Sequence, residues 1–307
     1  LPESGGLGQT DARQEQEIRM KRTAKGVAMG LALVGVLTLS ACNRHIMTRA
    51  ATSTASVAMV PAARAAAPLP GEAPFRVMPA RFDDAHPVAW PGRTPDAYEV
   101  HGIDVSRWQG AVDWHTARAH GVNFAFIKAT EGGDHSDPAF LQNWYGAAAA
   151  GVPRAGYHFF YFCRSAAEQA AWFIANVPRE AGALPPILDL EWNGESVTCP
   201  HRPDPATVRA EAATFLNIVG QHYDQQPIVY TTVDFWHDNE LWRLHGMQPW
   251  LRAVTKHPSE AYPDARAYTF WQYSGTGLIP GIPEQVDLNA FAGSERDWAV
   301  WLAENRG

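Results

Sequence analysis

From Tyr98 onward the chain alternates short runs of apolar and β-branched residues with longer stretches of helical period. "EVHGIDVS", ending at Ser106, predicts a strand, Asp113 to His120 a helix, and "NFAFIKAT" a second strand. An Ala-rich helix over 137–150, the strand "RAGYHFFYF", a helix over 165–176 and the strand "PPILDLEW" follow. Residues 205–223 set Val208, Ala212, Phe215 and Val219 at helical spacing, and "PIVYTT" predicts a fifth strand. Such alternation builds parallel strands joined by crossover helices. Beyond Thr232 strands dominate, with "PWLRAV", "AYTFWQYS" and "QVDLNAF" ahead of a last helix over 295–304. "YSGTGLIPG" is Gly-rich, opens no helix and reads as a turn. Eight strands in about 210 residues undershoot the roughly 250 of a typical (β/α)₈ barrel. The predicted fold is therefore an α/β, TIM-like barrel that lacks helices in its second half.

The segment "LPPILDLEWNGES" adds chemistry to this pattern. Side chains two apart on a strand point the same way, so Asp189 and Glu191 share one face and Leu188 and Leu190 take the other. A barrel carries its chemistry at the carboxyl ends of its strands. Asp104 falls near the end of the first strand, Asp189 and Glu191 near the end of the fourth, and Asp287 on the last. Four acids from three segments are thus expected at one mouth, although an isolated D-x-E at a strand end is more often a solvated rim or an ion pair.

The first hundred residues differ in kind. Met20 is followed by Lys21, Arg22 and Lys25, then by a mostly apolar stretch from Val27 to Leu39, too short for a membrane span and suited to a secretory signal. The run ends in Leu39, Ser40, Ala41, Cys42, which resembles the lipobox of bacterial lipoproteins and implies lipidation at Cys42, the alternative being an ordinary signal peptide cut nearby. Residues 1–41 are read as an upstream extension plus signal peptide. Residues 42–97, rich in Ala, Pro, Thr and Ser, are read as a flexible tether, and 98–307 as the globular domain. The expected location is the bacterial cell envelope, with a membrane reached through the anchor.

Charge narrows the partners. The whole chain has a formal net charge of -7, but residues 98–307 hold 14 Lys+Arg against 24 Asp+Glu. Nucleic acid is excluded as a partner, and an anionic glycan receives no long-range attraction. Apart from Cys42, Cys163 and Cys199 each sit just beyond a predicted strand on one rim, as one disulfide or as two separate thiols. Neither forms a C-x-x-C pair, and no H-E-x-x-H occurs, so no metal or cofactor is expected and His101 and His158 are assigned structural roles. Phosphate-binding and serine-hydrolase signatures are also missing.

Seven blocks then resemble glycoside hydrolase family 25, the Chalaropsis-type muramidases. They are "GIDVSRWQG" (102–110), "FIKATEG" (126–132), "GYHFF" (156–160), "PPILDLE" (185–191), "PIVYTT" (227–232), "FWQYS" (270–274) and "GIPEQVDLNAF" (281–291), in family order. The resemblance implies an irregular (β/α)₅(β)₃ barrel that cleaves the β-1,4 bond between N-acetylmuramic acid and N-acetylglucosamine in peptidoglycan strands; a monomer is expected. It assigns Glu191 as general acid/base, Asp189 as its partner, and Asp104 and Asp287 as further active-site acids. Tyr157, Tyr230, Trp271 and, more weakly, Lys128 are expected to line the sugar site. Aromatic residues at strand spacing, such as Trp271 and Tyr273, are equally well explained as core.

Glycosidic cleavage needs one carboxyl protonated while another is ionised, and crowded acids separate their pKa values. Glu191, beside Trp192, is the one expected to be raised. A 2-acetamido group on the substrate can serve as nucleophile, with Asp189 steadying it. The competing readings are a peptidoglycan-binding lipoprotein without activity and a metal-dependent deacetylase or amidase on a similar barrel.

Overall fold

The computed structural model describes residues 75–193 and 196–307. The signal-like segment, Cys42 and the tether as far as residue 74 lie outside the described residues.

Local chemistry sets the element boundaries. Asp204 accepts hydrogen bonds from the N–H groups of Ala206 and Thr207 at 3.0 and 3.1 Å, Pro205 fits the first turn, and Asp224 ends the helix in the left-handed region at φ 56°. The resulting helix spans Pro205–Tyr223, and its Val208, Ala212, Phe215 and Val219 are buried.

The described elements run β1 (Asp83–Asp84), β2 (His101–Val105), α1 (Trp114–Ala119), β3 (Ala125–Glu131), β4 (His135–Ser136), α2 (Phe140–Ala149), β5 (Arg154–Phe159), α3 (Ala166–Asn176), β6 (Ile187–Leu190), α4 (Pro205–Tyr223), β7 (Ile228–Thr231), α5 (Val233–Asp238), β8 (Gln248–Arg252), α6 (Pro258–Ala261), β9 (Phe270–Leu278), β10 (Val286–Phe291) and α7 (Glu295–Asn305). Strands β2, β3, β5, β6, β7, β8 and β9 pair in parallel, and β10 closes the ring antiparallel to both β9 and β2. Five βα units followed by three strands make the irregular (β/α)₅(β)₃ barrel that the resemblance implied. Its eight strands enclose one core, of Phe124, Phe126, Ile187, Ile228, Trp250 and Phe270. Leu188, Leu190 and the apolar face of α4 form a second core between strands and helices. Trp298 of α7 packs against Phe124 at 5.4 Å and Phe291 at 5.1 Å, sealing the amino-terminal end of the parallel strands.

Two sequence expectations change. Residues 75–97, placed in the tether by composition, lie along the barrel: Phe75 meets Trp298 at 6.2 Å, Asn123 bonds both the N–H and the carbonyl of Met78, β1 pairs with Leu278 and Gly277, and Trp90 packs edge-on against Trp271 at 5.1 Å. The physical reason is the missing helices. The outward face of β9 would otherwise be bare, and this aromatic-studded strap packs on it through Trp90 and pairs with its end through β1. The Gly-rich segment after Tyr273 also continues β9 as far as Leu278 instead of turning. A Cβ at Gly277 would lie 2.4 Å from Leu288 on β10, so glycine is needed for close strand approach.

Cys163 and Cys199 are bonded to each other, with Cα atoms 5.7 Å apart, which ties the loop after β5 to the loop after β6. No helix among the described residues is long and apolar enough to cross a membrane.

Candidate active site

Parity along the strands delivers the acids to the barrel mouth. Ile187 lies in the inner core, so Asp189, two residues on, faces inward as well, and Glu191 follows just past the end of β6. Asp287 stands directly across from Asp104 in the β10–β2 register. Because β10 runs antiparallel, Asp287 reaches the mouth from the amino end of its strand, unlike the other acids. Asp104 and Asp189 are buried, and Glu191 and Asp287 are half-buried.

The four carboxyls are close enough to act on one another. Burial, then the charge of Asp287, raises Asp104 well above the usual carboxylate range. Burial, then the charge of Glu191, does the same to Asp189, with Lys128 opposing. Burial pushes Glu191 up to about 7 against the opposing charges of Arg252 and Lys128. At neutral pH such a group can both hold and release a proton.

Asp104 is held by a directed network. Trp250 Nε1 donates to Asn289 Oδ1 at 2.7 Å, and Asn289 Nδ2 donates to Asp104 Oδ2 at 2.8 Å. Gln272 Nε2 donates to the same oxygen at 2.8 Å, while Gln272 Oε1 accepts from the Tyr230 hydroxyl at 3.0 Å. An indole N–H only donates, so it fixes the orientation of the Asn289 amide and makes Asp104 Oδ2 an acceptor. Asp189 contrasts with this arrangement. Its Oδ1 is enclosed and has no hydrogen-bond partner among the described residues.

The aromatic and basic residues expected at the sugar site fare unequally. Tyr157 is half-buried at the mouth, its hydroxyl raised well above the usual range by burial and then by Asp104, Asp189, Asp137 and Asp287. Tyr230 sits beneath the mouth, packed on Trp250 at 4.5 Å, and touches the site through Gln272. Lys128 bonds Glu131 at 2.6 Å, and its charge is felt by Asp189 and Glu191. Trp271 is a correction. It is 0% exposed, belongs to the outer core, and donates from Nε1 to the Ala253 carbonyl at 2.8 Å, so it lines no sugar site. On β9 the inward residue is Gln272, one position along.

Gln272, Asn289 and Arg252 were missed by sequence reasoning. Parity locates each once an inward neighbour is known: Asn289 lies two residues after Asp287, Arg252 two after Trp250, and Gln272 two after Phe270. The two histidines serve packing. His101 bonds the Tyr273 hydroxyl and the Tyr98 carbonyl, while His158 bonds Thr130 and Gln169 and is pushed down to about 4 by burial. Among the described residues, no group of three or more His, Cys, Asp or Glu could hold a metal ion.

Acids gathered over an open mouth on this barrel, one of them poised near neutrality, suit acid-base cleavage of a glycosidic bond, and similarity to known proteins agrees. The model of glycosyl hydrolases family 25 matches residues 103–282, more than half of the chain. The uncharacterized protein YegX of Escherichia coli (strain K12) is 36% identical over 217 residues, covering 68% of this chain and 76% of its own. Lysozyme M1 of Streptomyces globisporus is 33% identical over 218 residues, covering 65% and 70%. The solved structure of a family 25 glycosyl hydrolase from Bacillus anthracis superposes with a TM-score of 0.62 at 33% identity, covering 67% of this chain and 95% of that one. The chain belongs to glycosyl hydrolase family 25 and is a glycoside hydrolase.

Proposed function

We propose that this enzyme hydrolyses peptidoglycan at the β-1,4 bond between N-acetylmuramic acid and N-acetylglucosamine, with Glu191 as general acid/base and the substrate's own 2-acetamido group as nucleophile. The observation that carries the reading is the pairing of Glu191, raised to about 7, with Asp189, whose Oδ1 is enclosed without a donor. An acetamido N–H is a donor for the Asp189 carboxyl, which accepts no hydrogen bond from the described residues. Accepting it favours the charged form of Asp189, which keeps the shared proton on Glu191, where the leaving oxygen needs it.

The steps follow from these protonation states. Glu191 gives its proton to the glycosidic oxygen as the C1–O bond breaks and the acetamido oxygen bonds to C1, forming a cyclic oxazolinium ion. Asp189 stabilises the positive charge on the ring nitrogen. Glu191, now a carboxylate, takes a proton from water as that water attacks C1 and the acetamido oxygen departs. Two displacements at C1 retain configuration. Asp104 and Asp287 line the facing side of the mouth, and whichever of the pair is ionised favours the oxocarbenium-like transition state. Proton NMR of fresh product tests the route: the β-anomer is expected first, and the α-anomer alone would overturn it.

The same reading places the enzyme in the bacterial envelope. Its support is the signal-like segment ending at Cys42 and the Cys163–Cys199 bond, which suits an oxidising compartment. Lipidation of Cys42, the tether from Cys42 to residue 74 and the monomeric state belong to this proposal as well.

A further inference from the structure

We propose that Arg252 is the receptor for a carboxylate carried by the glycan substrate, so that the enzyme distinguishes N-acetylmuramyl strands from neutral N-acetylhexosamine strands. This inference rests on the muramidase reading above.

Position comes first. Arg252 is the last residue of β8, two beyond the inner-core Trp250, so its side chain leaves the strand toward the mouth. It stands across from Gln272 in the β8–β9 register. The backbone there is fixed on both sides, with the Arg252 carbonyl accepting from the Tyr262 hydroxyl at 2.6 Å and the Ala253 N–H donating to Gln272 at 3.0 Å. The charges of Glu191 and Asp287 are felt at the guanidinium, in keeping with a side chain directed toward the mouth.

Its partnering is unusual within this chain. Arg118, Arg154 and Arg209 are each half-buried or deeper, and each has an acceptor: Asn123 at 2.6 Å, Glu180 at 2.5 Å and the Asn239 carbonyl at 2.7 Å. Arg252 is half-buried too, yet its guanidinium makes no hydrogen bond or ion pair with any described residue. A guanidinium carries five donors in a planar fork and stays charged. With no hydrogen bond or ion pair to a described residue, that fork is left for a ligand, and a carboxylate is the group that matches it in both geometry and charge.

The charge of the domain explains why such a receptor is useful. With 24 acidic against 14 basic residues from Tyr98 onward, the domain repels an anionic strand at long range, so recognition must be local. Two carboxylates of the wall polymer have this chemistry: the lactyl group of a muramic acid stripped of its peptide, and the carboxylates of an attached peptide stem.

The test is calorimetric binding to the full chain in a Glu191→Gln background, with Arg252 intact, as Arg252→Gln and as Arg252→Lys. Four tetrasaccharides are the probes: muramyl with free lactyl groups, muramyl with peptide stems, muramyl with lactyl carboxamides, and chitotetraose. With Arg252 intact, a carboxylated probe binds more tightly than its neutral counterparts. Arg252→Gln lowers that preference about 10- to 100-fold, the scale of a lost charge-assisted pair, and Arg252→Lys restores part of it. Loss confined to the free-lactyl probe identifies stripped strands as the source, and loss confined to the stem-bearing probe identifies the peptide. Equal loss across all four probes, or no loss in any, overturns the proposal while leaving the muramidase reading standing. Failure of every probe to bind the chain with Arg252 intact counts against both.

Discussion

The amide of Asn289 donates to Oδ2 of Asp104 at 2.8 Å, and its orientation is imposed from the far side by the Trp250 indole. A buried aromatic of the barrel core thereby sets which oxygen of a mouth carboxyl stays unprotonated. Replacing Asn289 by Leu removes a donor from Asp104 and an acceptor from Trp250 in one step. The Trp250 N–H is orphaned at a cost of about 1–3 kcal/mol while Asp104 keeps Gln272 and loses one of its two donors, so Asn289→Leu is expected to lose about 2–4 kcal/mol in denaturant unfolding. Glycan cleavage by the folded fraction should fall more than about tenfold, the effect of losing roughly one such interaction. Unchanged cleavage would show that the network only supports the fold.

The elevated proton affinity of Glu191 makes stability depend on pH. Its value is 4.5 for the free group and about 7 in the fold, so the native state binds the proton more tightly. The associated stability is present in full below pH 4.5 and is lost as pH rises toward 7. Glu191→Gln is therefore expected to be about 1–3 kcal/mol more stable than the parent at pH 8 and no more stable at pH 4. Thermal unfolding at the two pH values checks this.

The same proton limits catalysis on the alkaline side. In the proposed mechanism Glu191 is protonated when the sugar leaves, so kcat/KM on soluble glycan should decline about tenfold per pH unit above roughly 7. A pH-rate profile flat to pH 9 would remove Glu191 from the acid role.

Trp271 separates core from cleft. Its ring is sealed between Trp90, Tyr98 and His257. Trp271→Ala should destabilise by about 3–5 kcal/mol, the usual range for a large aromatic core residue. The folded fraction should keep its KM. A raised KM with unchanged stability would return Trp271 to the sugar site.

Strand parity explains what the sequence made legible. Asp189 and Glu191 point inward because Ile187 does, and that alternation is visible in "PPILDLEW" without coordinates. The shortage of helices after Thr232 was likewise countable and matches the last three strands. The inward face of β9 was not legible. In "FWQYS" three aromatics flank one amide, and apolar character draws attention to Trp271 when the outward side of β9 is in fact the buried one. It is buried because residues 75–97 cover it, and an Ala- and Pro-rich neighbourhood concealed that role for Phe75, Phe82 and Trp90. Gln272 and Asn289 escaped notice because an isolated amide carries no motif, and their meaning lies in bonds to Asp104 across the barrel.

The most direct test of the central claim is mass analysis of the products released from purified sacculi by the parent enzyme and by Glu191→Gln. The parent is expected to release fragments with new reducing ends at N-acetylmuramic acid, and the variant to lose that release by more than about a hundredfold, the scale of general acid catalysis. New reducing ends at N-acetylglucosamine, or undiminished release by Glu191→Gln, would contradict it.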